Sequence, residues 1–82
     1  MVLSSTEAEL SALSEAATYV LWTREFMREI GFEQVLPTVI HEDNQAAITT
    51  SKAGGGTFKR SKHMVVRAEF VKELIESGVL TV

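Results

Sequence analysis

Apolar positions in the first third of the chain recur with helical spacing. At about 100° per residue, Leu10, Leu13, Ala17, Val20, Leu21 and Met27 fall on one face. This spacing predicts one long helix over 5–30. Ser4 with Glu7, or Thr6 with Glu9, offers a capping box at its start, and Gly31 supplies the stop. Trp22 and Phe26 fall off the apolar stripe. A second face is therefore partly apolar, which points to packing on two sides or to an unmet partner.

The pattern then changes period. Residues 35–41 read as a strand, with Pro37 near its start, where a missing donor is tolerated. Val39 and Ile40 form a short continuous apolar core, as in a strand covered on both faces. Asp43 follows as the expected N-cap of a helix over 44–52. Residues 53–57 contain Gly54-Gly55-Gly56 and read as a loop. Ser61 is the expected cap of a helix over 62–77, whose apolar face is Val66, Phe70, Val71, Leu74 and Ile75. Gly78 ends it, and 79–82 reads as a final strand. The order is helix, strand, helix, helix, strand, an α/β pattern. Two strands joined through helices should lie parallel, with a right-handed crossover. Two strands alone make a poor sheet, so the pattern predicts a short parallel sheet completed by a partner chain or a second copy.

Composition narrows the class. With 82 residues the chain allows one small domain of marginal stability. Apolar residues make up 45 %, which is globular rather than disordered composition. There is no cysteine, so neither a disulfide nor a Cys-based metal site can compensate. No apolar run approaches the roughly 20 residues of a membrane span, and the start lacks the basic-then-apolar pattern of a signal peptide. The expectation is an intracellular protein, cytoplasmic or nuclear. The formal charge of −3 does not advertise nucleic-acid binding.

Local charge tells more. No acid occurs between Asn44 and Ala68, a stretch that holds Lys52, Lys59, Arg60, Lys62 and Arg67. Phosphate contact is a natural use of such a block, and a soluble loop and helix start is an equally good account. Base stacking is weakly supported, because Phe58 is the one aromatic among them. Glu9 is unusual in another way. It lies only about 40° from the centre of the apolar stripe, whereas Glu7 lies about 120° away. A carboxylate beside a core is costly unless a charge meets it, although the first helical turn welcomes acids. Asp43 sits at the carboxyl end of the first strand, where sites of α/β sheets collect. Capping alone would also explain it. Position alone favours the plainer account for both acids. Glu42 should point to the other side of the strand and be solvated.

Other chemistries are excluded. The glycine run lacks the Gly-Lys-Ser/Thr ending of a phosphate-binding loop. His41 and His63 have no ligand-like spacing for zinc. Ser4 or Ser5 with His63 and Asp43 makes a triad only if geometry is ignored.

Three ordered motifs then converge. Residues 4–16, Ser-Ser-Thr-Glu-Ala-Glu-Leu-Ser-Ala-Leu-Ser-Glu-Ala, closely resemble the S-S-T-E-A-E-Y-x-A-L-S-E-A motif of copia-type retrotransposon ribonuclease H domains. Residues 42–48, Glu-Asp-Asn-Gln-Ala-Ala-Ile, resemble that family's C-D-N-Q-S-A-I. Residues 61–74, beginning Ser-Lys-His-Met-Val-Val-Arg, resemble its T-K-H-I-D-I-R-Y-H-F-I-R-E-L, and Gly78-Val79-Leu80 matches the start of its next strand. The resemblance covers nearly the whole chain. It implies a five-stranded mixed sheet with helices on both faces, and cleavage of the RNA strand of an RNA–DNA hybrid by Mg²⁺ held on four carboxylates. By motif position Glu9 is the helix carboxylate and Asp43 the strand-end carboxylate, which reverses the plainer account of both.

The departures are equally specific. The family's first aspartate lies on a strand upstream of the first motif, and its last lies in a helix after the final strand. Neither falls within residues 1–82, so the chain is expected to be a partial ribonuclease H-like domain lacking N-terminal strands and the C-terminal helix. Val65 stands where the family usually has Asp, and Leu10 replaces its Tyr. Two carboxylates in place of four should weaken ion binding and the positioning of water. Three functions follow as expectations: an inactive ribonuclease H fragment that contacts RNA or DNA through the basic block; a protein-interaction module or homodimer; and, ranked last, a Mg²⁺-dependent hybrid nuclease completed in trans.

Overall fold

The computed structural model describes residues 5–53 and 62–82. Helix α1 spans Ser5–Glu29, strand β1 Thr38–Val39, helix α2 Gln45–Ala53, helix α3 Lys62–Glu76 and strand β2 Leu80–Thr81. The capping residue Ser4, the side chains of Ser5 and Thr6, the glycine run and Ser61 lie outside what is described, as do Lys59 and Arg60.

Helix α1 buries Leu10, Leu13 and Ala17 against Met64, Ala68, Val71 and Leu74 of α3, with Leu80 of β2 completing the cluster. Val20 and Leu21 pack at its border, and Met27 is half-buried. On α3 the buried face is rotated from the one the pattern predicts. Met64 and Ala68 are buried, while Val66 is 67 % exposed. Helical geometry gives the reason: at about 100° per residue Val66 lies about 140° from Val71, whereas Met64 and Ala68 fall within about 60° of it. Helix α2 packs mainly on α3 and buries Ala47, Thr50 and Ser51. The Ser51 hydroxyl donates to the Ile48 carbonyl at 2.8 Å, so its burial leaves no orphan donor.

Both long helices end at a glycine of positive φ, Gly31 at 91° and Gly78 at 80°. At each end two backbone bonds turn the chain. Gly31 N–H donates to Arg28 and Phe32 N–H to Met27; Gly78 N–H donates to Ile75 and Val79 N–H to Leu74. This is the paired pattern of a Schellman cap.

Strands β1 and β2 pair in parallel, Thr38 opposite Leu80 and Val39 opposite Thr81. The first strand is much shorter than the 35–41 stretch the pattern predicts. Its upstream carbonyls are taken by a side chain. The Arg24 guanidinium donates to the carbonyls of Gln34 at 2.9 Å and Leu36 at 2.8 Å, and to the Thr38 hydroxyl at 3.0 Å. Pro37 offers no donor. Ladder bonding therefore begins only at Thr38 and stops after Ile40, whose N–H donates to Thr81.

Candidate metal centre

Asn44, not Asp43, caps helix α2. The Asn44 side-chain oxygen accepts from the Ala47 N–H at 2.9 Å, as a capping residue does. The Glu42 carboxylate turns back to accept the Asn44 N–H at 3.0 Å. These two contacts relieve Asp43 of capping and leave its carboxylate exposed. They also correct the expectation for Glu42, which is half-buried rather than solvated on the far side. Strand alternation does not extend to Glu42, because pairing has ended at Ile40.

One turn into α1, Glu9 is half-buried beside the same segment. Carboxylate oxygens of Glu9, Glu42 and Asp43 all lie within 4.8 Å of one another. Such crowding of like charge is unfavourable. It holds the Glu9 carboxyl above its usual range, chiefly through the Glu42 charge, then through partial burial, a hydrogen bond with Glu42 and the charge of Asp43. The donor set is all oxygen and anionic, the kind that suits a hard divalent cation. No cation among the described residues is seen to neutralise the group.

The basic residues take different positions. Lys52 at the end of α2 and Lys62 at the start of α3 are exposed. Arg67 is half-buried and donates to the Ser14 hydroxyl at 3.0 Å, which ties α3 to α1. Ser14 in turn donates to the Ser11 carbonyl at 2.9 Å. Two residues escaped the sequence reading. Glu42 carried a signal only in its neighbour, since an Asn directly before a helix competes with Asp for the cap. Arg24 carried none, because its three acceptors lie 10 to 14 positions away.

Comparison with known proteins shows what the chain is similar to. Its relatives are retrovirus-related Pol polyproteins of plant transposons. The whole chain is 34 % identical over 82 residues to the Pol polyprotein from transposon TNT 1-94 of Nicotiana tabacum, covering 6 % of that polyprotein. It is 32 % identical over the same 82 residues to the Pol polyprotein from transposon RE1 of Arabidopsis thaliana, again 6 % of its length. The chain is thus similar to a short segment of a retrotransposon Pol polyprotein. No family model matches it, and no solved structure does. Among the described residues, no helix is long and apolar enough to cross a membrane.

Proposed function

We propose that this segment is the part of a Pol polyprotein's ribonuclease H region that carries two of its metal-binding carboxylates, Glu9 and Asp43, and that alone it does not cleave hybrid. One observation carries the reading. The two acids singled out by the motifs stand on separate elements, yet fold to within 4.8 Å of each other, with Glu42 as a third. Mg²⁺ takes a few carboxylate oxygens and keeps its waters, so Glu9, Asp43 and Glu42 would hold it. The ion would supply charge neutralisation at phosphate and a more acidic bound water. The chain's own residues do the rest. Asn44 fixes the start of α2, Glu42 locks the turn that aims Asp43, and α1 sets Glu9 opposite. Lys52 and Lys62, with Lys59 and Arg60, would meet the phosphate backbone of RNA or DNA, whereas Arg67 is engaged with Ser14.

Purified chain should show no Mg²⁺-dependent cleavage of an RNA–DNA hybrid. Cleavage abolished by Glu9→Gln would refute the inactivity. Millimolar Mg²⁺ should raise the melting temperature of the native chain and not that of Glu9→Gln or Asp43→Asn. An equal rise in all three would remove Glu9 and Asp43 from any cation site. Hybrid binding should fall steeply with salt and weaken on charge reversal at Lys59, Arg60 and Lys62; equal binding by that variant would remove the basic block.

A second reading is favoured by a different observation. Tyr19 is 73 % and Trp22 71 % exposed on the outer face of α1, and among the described residues the sheet has two strands. On this reading the chain is an interaction module whose partner covers that face. A hybrid nuclease completed in trans would join the two readings, with the partner supplying the remaining carboxylates.

A further inference from the structure

Helix α1 carries two apolar faces. The inner one is the core. On the outer one, Tyr19, Trp22 and Phe26 are spaced three and four apart and fall within about 60° of one another. Ile30, whose N–H still donates to Phe26, extends the stripe at one end. Ala8, Ala12 and Glu15 extend it at the other. All seven are exposed, with Phe26 at 52 % and Ile30 at 51 %. From Ala8 to Phe26 the spacing alternates four and three, that of a helix–helix seam. Its side chains are graded, small in the first half and large in the second.

This grading specifies a match. We propose that the occupant of the face is a second copy of the chain, with the two α1 helices packed antiparallel about Tyr19. In that register Tyr19 meets its counterpart, Trp22 lies over Glu15, Phe26 over Ala12 and Ile30 over Ala8. Each large side chain then finds a small or flexible one, as close packing requires. A parallel pair would stack aromatic on aromatic, leave a gap between alanines and set Glu15 against Glu15. The area suffices. At about 150–250 Å² for a whole aromatic side chain, the exposed parts of Tyr19, Trp22 and Phe26 offer about 400 Å². Ile30 and the smaller residues raise this to about 600 Å² per copy, which puts the pair at the lower end of stable interfaces. The proposal develops the interaction reading and does not depend on the cation site.

The absence of cysteine allows a clean test. Ala12→Cys and Phe26→Cys variants of the full chain are oxidised separately and as an equal mixture. Positions 12 and 26 face each other across the antiparallel pair, whereas each is about 20 Å from its own counterpart. Covalent dimer should form in the mixture and hardly at all in either variant alone. Light scattering from about 1 µM to about 1 mM should show mass rising from one copy to two, with a blue shift of the fluorescence of Trp22, the one tryptophan. Tyr19→Glu with Phe26→Glu should abolish the rise while leaving helical content unchanged. A chain of single mass throughout overturns the proposal and leaves the face to a different partner. So does a dimer whose tryptophan emission stays unshifted, or one that cross-links equally in the separate variants. Loss of Mg²⁺ binding with dimerisation intact would count against the cation reading alone.

Discussion

Replacing Arg24 by Ala tests how the segment between α1 and α2 is held. Its guanidinium makes three hydrogen bonds, to the carbonyls of Gln34 and Leu36 and to the Thr38 hydroxyl. A hydrogen bond to a charged group contributes about 1.5–3 kcal/mol. Two of these are exposed, so water would satisfy the freed carbonyls and the total is well below the sum, about 2 kcal/mol. For a chain of this size that is a drop of about 10 °C in melting temperature. Arg24→Lys should recover only part of it, because an ammonium cannot fork across separate acceptors. The loss should also be local. Amide exchange at Thr38 and Ile40, which donate to the carbonyls of Val79 and Thr81, should quicken more than exchange at Val71 in the core. Differential scanning fluorimetry and hydrogen exchange read both effects. An unchanged melting temperature, or uniform acceleration at all sites, would show that Arg24 decorates the surface and does not anchor β1.

Leu10→Ala should cost about 2–5 kcal/mol, since Leu10 is fully buried in the α1–α3 cluster, and circular dichroism should find most of the helical signal lost at 37 °C. Gly31→Ala should cost about 1–2 kcal/mol; no neighbour lies within 4 Å of the added carbon, so the loss seen in urea unfolding comes from φ alone. Glu9 has a raised carboxyl in the folded chain, so between its ordinary and its raised value the folded state binds more protons than the unfolded. Stability must then fall as pH rises through that window. Without divalent cation, Glu9→Gln should melt higher than the native chain at neutral pH, with the difference vanishing below the ordinary carboxylate range; the reverse order at neutral pH would contradict the crowding of the three acids.

The order of elements and the parallel pairing could be read from the sequence because each rests on a local signal. Apolar spacing marks the helices, glycine marks their ends, and a strand-helix-strand sequence favours parallel pairing. What escaped depends on contacts between distant positions. The β1 ladder is short because Arg24, one helix earlier, occupies its upstream carbonyls. On α3 the wheel itself places Val66 away from Met64, Ala68 and Val71, so that part of the face was legible and a plain run of apolar residues obscured it. At the acidic group, Glu9 was legible as a charge too near an apolar stripe, and Asp43 as an acid at a strand end. Glu42 was not, because strand alternation was extended past the last ladder bond. Asn44 took the cap expected of Asp43, a choice between two good caps that sequence leaves open.

The pairing of Thr38 with Leu80 joins points separated by about forty residues, and bringing such a loop's ends together costs about 3 kcal/mol in chain entropy. The few ladder bonds return about 1 kcal/mol each, so strand pairing does little more than offset that cost. Burial of Leu80 under α1 and α3 provides the rest, about 1.5–3 kcal/mol. Leu80 thus fastens the strand pair to the helical core, and through β1 it fastens the segment that carries Asp43 to α1, the helix that carries Glu9.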